Sequence, residues 1–252
     1  VLSMQRAIAM LGLEGLEQAA RSLKQWPGPL NEHNANELRK GMARVQRVAE
    51  IAQQLRPPGY SGEVIFIICL MQNLGQLLLE YHRPEDAQQI RHLMQAPEPT
   101  EDNPNPLGMT AEVAAHAVMG VDIETLGAAV AGYWALGPEL LHMARRQAPD
   151  APVRHADSDA EIIRLTCSLA SELVDALKLP LKRRQAGIEL ATKRYARALS
   201  LSLREVQEAL NPNAAPRPDG ELAAPFHEGP VRPSALRDKA VAPDSKLPAQ
   251  DR

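Results

Sequence analysis

Three features of the sequence predict an all-helical fold. Ala and Leu are plentiful while aromatic residues make up only 3 % of the chain, a balance that favours helix over sheet. Apolar residues recur every three or four positions, as in Leu38, Met42, Val45, Ala49, Ala52 and Leu55, and period-two alternation is nearly absent. Helix-opening residues stand before the periodic runs: Pro84, Asp122, Pro138, Ser158 with Glu161, and Ser202 with Glu205. With 252 residues, 44 % of them hydrophobic, the chain can bury a sizeable core.

Taken in order, residues 4–25 read as a helix interrupted around Gly12 and Gly15 and ended by Trp26-Pro27-Gly28-Pro29. Residues 35–55 form an amphipathic helix that Pro57-Pro58-Gly59 stops. Residues 62–81 are apolar nearly all round and read as one central helix packed on several sides. Pro84 opens a short helix with Ile90, Leu93 and Met94 on one face, and the four prolines of residues 97–108 exclude helix and strand alike. Further helices are predicted over 110–118, from Asp122 to Trp134, from Pro138 to near Arg146, over 158–177, over 183–199 and over 202–210. Trp134 and Leu136 read as core residues. The folded domain is therefore expected over 1–210. Residues 211–252 hold eight prolines and no periodic apolar pattern, which predicts a Pro-rich disordered tail or linker.

Composition excludes several functions. A formal charge of −3 argues against nucleic acid as a ligand, because phosphate-backbone binding needs a basic excess. No apolar run is long enough to cross a membrane, and no signal peptide is visible, so a cytoplasmic protein without membrane partners is expected. Cys69 and Cys167 lie in apolar helical runs and read as reduced core residues. The sequence has no G-x-S-x-G elbow, no phosphate-cradling G-x-x-x-x-G-K, no zinc-finger spacing and no kinase motif.

Metal ligation is equally poorly supported. None of the seven histidines is followed by Asp. Glu112 with His116 and Glu139 with His142 share helix faces, but a carboxylate-bridged dimetal site needs a second such pair and two further Glu residues. No metal and no other cofactor is expected. Two basic clusters, Arg145-Arg146 and Lys182-Arg183-Arg184, are candidates for holding a phosphate or an acidic partner, or are solvated helix ends.

Three stretches carry a family resemblance. Residues 3–12 (Ser-Met-Gln-Arg-Ala-Ile-Ala-Met-Leu-Gly) contain an Ala-Ile pair leading to Leu-Gly. Phe66 to Gly75 resembles a Phe-x-x-Gly-Leu-Leu-His-Asp-Ile-Gly segment. Gly120-Val121-Asp122, Gly127 and Trp134-Ala135-Leu136 resemble a Gly-x-Asp-His…Gly…Trp-Gly-Leu-Pro segment. Their order and spacing are similar to those of the HDOD family, bacterial signalling domains related to the HD phosphohydrolases. The resemblance implies a multi-helix HD-related bundle. It also implies that the chain starts almost on the Ala-Ile stretch, with the family's opening helices missing. Leu70 to Gly75, with Tyr81-His82 and Gln89-Ile90-Arg91, is further similar to an HDOD subgroup fused behind bacterial serine/threonine protein kinases.

The departures from the family pattern bear most on function. Gln72 and Asn73 stand where the His-Asp pair would be, Lys40 lies near the first His position, and Ile123 replaces a later His. Arg145, Arg146 and Gln147 fall near a His-His pair. An amide has neither the charge to hold a divalent cation nor a site to take a proton from water, and the cationic replacements repel a metal. The sequence thus predicts a non-catalytic signal-transduction module, part of a larger protein or bound to a protein partner such as a kinase. The degenerate site would comprise Lys40, Gln72, Asn73, Arg145 and Arg146. The alternatives are a sensor that binds an anionic nucleotide or phosphorylated ligand there, and a residual metal-dependent phosphohydrolase.

Overall fold

The computed structural model describes residues 30–98 and 106–211. These fold into ten helices, with no strand among the described residues. The helix expected over 4–25, the Ala-Ile stretch within it, and the tail beyond residue 211 lie outside the described residues.

Helix α1 (Glu32–Leu55) starts at Asn31, whose side-chain oxygen accepts a hydrogen bond from the Asn34 N–H at 2.8 Å. Its apolar stripe buries Leu38, Val45, Val48, Ile51, Ala52 and Leu55. The central segment departs from the single helix that its apolar run predicts. It is two helices, α2 (Gly62–Gln72) and α3 (Leu74–His82), bent by 52° at Asn73. The break has a local cause. The Asn73 side-chain amide donates to the Cys69 carbonyl at 2.7 Å, and its backbone N–H turns back to Leu70 O at 3.1 Å. Asn73 therefore draws the last turn of α2 tight and lets α3 leave in a new direction.

Helix α4 (Pro84–Met94) carries its proline in the first turn. Thr110 caps α5 (Ala111–Met119), Gly120 leaves it at φ +75°, and Asp122 caps α6 (Ile123–Tyr133) through a 2.7 Å bond from the Thr125 N–H. Helix α7 (Pro138–Met143) is a short connector that stops before Arg146. Ser158 caps α8 (Asp159–Leu177), and α9 (Leu181–Leu199) follows Pro180. Helix α10 (Leu203–Leu210) has the full reciprocal capping box of Ser202 and Glu205. The same spacing at Ser158 gives only half of that box. Glu161 accepts from Arg164 and His142 instead of returning to the cap.

The core has two parts. The larger joins the second half of α1, α2, α8, α9 and α10 around Ile51, Ile65, Leu169, Leu173, Tyr195 and Val206, all fully buried. Each large side chain here contributes about 2 kcal/mol of burial free energy. The smaller joins α3, α4, α5 and α6 around Leu79, Ala87, Ile90, Ala114 and Ala115. Helix α1 packs on both α2 and α3 and so ties the two parts together. Helices α3 and α6 cross so closely that a Cβ on Gly75 would lie 1.9 Å from the Ile123 carbonyl oxygen. Trp134 does not join the core. It caps the C-terminus of α6 and is 51 % exposed, because Ala135 takes a left-handed φ of 54° and turns the chain away there.

Candidate functional site

The bend at Asn73 places Gln72 and Asn73 between the two parts of the core, facing the end of α7 and the middle of α8. Both are almost wholly buried, so their polar atoms need partners inside the protein. Gln72 Nε2 donates to the carbonyls of Met143 at 3.0 Å and Arg164 at 3.1 Å, and the Ser168 hydroxyl donates to Gln72 Oε1 at 3.5 Å. Gln72 thus stitches α2 to α7 and α8. The Asn73 amide nitrogen is committed to Cys69, which leaves Oδ1 as the acceptor that faces the site.

Two guanidinium groups share that oxygen. Arg44 Nη1, from α1, donates to Asn73 Oδ1 at 2.6 Å, and Arg146 Nη2 donates to the same atom. Arg146 Nε also donates to the Gln72 carbonyl at 3.0 Å. Arg44 turns its other edge to Asp175 on α8, with Nη2 to Oδ2 at 2.7 Å, Nη2 to Oδ1 at 2.9 Å and Nε to Oδ1 at 3.2 Å. This fork-on-carboxylate geometry is the strong form of an arginine ion pair. Lys178 Nζ stands 3.8 Å from Asp175 Oδ1.

The electrostatics follow from this crowding. Burial, and then the neighbouring Arg44, push the Arg146 guanidinium down to about 10, while Asp175 and Glu124 oppose the shift. Lys178 is lowered by burial and then by Arg44, with Asp175 again opposing. Arg146 remains charged at neutral pH.

The sequence-derived residues divide into two groups. Gln72, Asn73 and Arg146 meet at one point. Lys40 lies elsewhere: it is exposed and pairs with Glu37 at 2.7 Å. The cation that α1 sends to Asn73 is Arg44, one helical turn further on the same face. Arg145 is exposed, and Gln147 binds Ser168 through its N–H and Arg164 through its side-chain oxygen. Ile123 places its carbonyl against Gly75. Arg44, Asp175 and Lys178 carried no motif; the one available signal was the position of Arg44 one turn beyond Lys40.

These residues do not fit a metal ion. The Gln72 amide points its donor at two carbonyls, and Asn73 Oδ1 is taken by cations. No group of three His, Cys, Asp or Glu side chains among the described residues could hold an ion. Glu112 and His116 are both exposed, and His142 pairs with Glu161 at 2.8 Å. Cys69 and Cys167 are free thiols buried against each other in the core, where burial raises Cys167 well above the ordinary thiol range.

A scan against protein-family models matches the HDOD domain over residues 1–149. The chain belongs to the HDOD domain family. No curated protein and no solved structure matches it significantly. Gln72, Asn73 and Arg146 fall within the matched residues, and α8 with Asp175 and its C-cap Lys178 lies beyond them. No single helix among the described residues is long and apolar enough to cross a membrane.

Proposed function

We propose that this HDOD domain is a non-catalytic regulatory module that transmits a signal through contacts with protein partners or an attached signalling domain in the bacterial cytoplasm. The observation that carries this reading is the seating of Arg146 on both Gln72 and Asn73. A protein cation stands against the residues that replace the His-Asp pair, and its partners are hydrogen-bond acceptors without charge. Such an arrangement contributes rigidity and gives no activated water and no general base. A serine/threonine protein kinase is the proposed attached or partner domain, on the resemblance of Leu70–Gly75 and its neighbours to kinase-fused relatives.

The test is hydrolysis. The purified chain is incubated with bis(p-nitrophenyl) phosphate and p-nitrophenyl phosphate in the presence of Mn2+ or Fe2+. The reading requires no turnover above the metal blank. Turnover that co-purifies with the chain and is abolished by EDTA would overturn it in favour of a residual phosphohydrolase. The kinase connection is tested separately, by mass spectrometry of what an antibody to this chain recovers from cells. Kinase peptides, in the same polypeptide or in a stable complex, support it; their absence removes the kinase and leaves the regulatory reading.

A further inference from the structure

Arg44, Arg146 and Lys178 come together from three different parts of the chain, and their arrangement is graded from the interior outward. Asn73, 3 % exposed, forms the base and holds one edge of each guanidinium. The Arg44 side chain, 18 % exposed, forms the wall. Asp175 and Lys178 form an open rim, with more than half of each side chain exposed. We propose that this cluster binds the dianionic phosphate group of a small phosphate monoester, which takes the place of Asp175 on the Nε–Nη2 edge of Arg44.

The geometry points to that ligand class for three reasons. First, Asn73 fixes Arg44 from behind, so its Nε–Nη2 edge is already presented to an oxyanion, and Asp175 shows that one fits there. Second, three cations gather around the carboxylate of Asp175, with Glu124 on α6 and Glu172 on α8 as further acids that act on Arg146. Burial first, and this like-charge crowding after it, lower Arg146 and Lys178, and an added negative charge relieves the crowding. Third, Asp175 belongs to the same chain and competes at high effective concentration. A monoanionic carboxylate gains too little to displace it. A phosphate dianion brings more charge and three acceptor oxygens, enough to engage Arg44 and Lys178 together.

This proposal rests on the non-catalytic reading, since the phosphate is bound and released unchanged. The experiment is a thermal-shift titration with inorganic phosphate, AMP and phosphoserine, at ionic strength held constant with NaCl to subtract general screening. The wild-type Tm is expected to rise with each probe. Asp175→Asn should tighten binding about tenfold and Lys178→Ala weaken it about tenfold, roughly 1.4 kcal/mol each way. Lys178 is exposed, so its variant leaves the fold intact. A preference for AMP would assign the ligand to nucleotides, and equal response to all three to a bare phosphate group. No shift at about 10 mM of any probe, in wild type and Asp175→Asn alike, would overturn the site and leave the regulatory reading standing. Unchanged affinity in both variants would overturn it too. Release of free phosphate from AMP or phosphoserine would overturn the non-catalytic reading beneath it.

Discussion

Gly75 and Gly127 face each other across the α3–α6 crossing with backbone against backbone: a Cβ on Gly127 would lie 2.8 Å from the Gly75 nitrogen. The crossing seats α3 directly after the Asn73 bend, so it also sets the direction from which Asn73 meets the two arginines.

Alanine at Gly75 should therefore be costly. Its Cβ meets a carbonyl oxygen, which cannot yield as a flexible side chain does. We expect Gly75→Ala to destabilise the domain by about 3 kcal/mol or more. Gly41→Ala, inside α1 with only the tip of Leu77 at 3.4 Å, should stabilise it by about 0.5 kcal/mol. Urea denaturation of the two variants reads both signs.

Asn73→Ala removes the acceptor shared by Arg44 and Arg146 and the donor to Cys69 O. The expected loss is about 2–3 kcal/mol, from buried polar groups left without a partner. The same experiment on Lys40→Ala should give a change within about 0.5 kcal/mol, because its pair with Glu37 is exposed.

How much of this was legible in the sequence depends on the range of the interaction. Caps act within one turn, so Asp122, Ser202 with Glu205, and Pro84 marked their helices correctly. The break between α2 and α3 was hidden, because the apolar run continues through it and the causes are a side-chain bond and a tertiary glycine contact. Gln72 and Asn73 were visible as amides within the apolar run. Arg44 was not, since its partner Asp175 lies 131 residues away and no spacing rule links them.

Glu161 gives the fold a defined pH dependence. Arg164 first, and His142 after it, hold its carboxyl below the ordinary value of 4.5, against burial, which raises it. A lowered folded-state pKa means stability that is present above 4.5 and is lost as pH falls through the folded value. Wild type should exceed Glu161→Gln in Tm above the ordinary carboxylate range. That margin should shrink toward zero below the ordinary carboxylate range, as a pH series of thermal melts would show.

Tyr195, fully buried on α9, donates its hydroxyl to Glu172 at 2.6 Å, and Arg194 pairs with the same carboxylate. Tyr195→Phe should cost about 1 kcal/mol in denaturant unfolding. Glu172, already raised chiefly by burial, should titrate higher still, because the hydroxyl is one of the groups that lower it. An NMR titration of the Glu172 carboxyl measures that direction.

We propose that the protein's own guanidinium groups, on Gln72 and Asn73, take the place that an ion would hold in a metal-dependent relative. The most direct measurement is metal content by elemental mass spectrometry after loading the purified chain with Mn2+ or Fe2+ and desalting it. The structure predicts far less than one ion per chain. One or two ions per chain that survive desalting would contradict it.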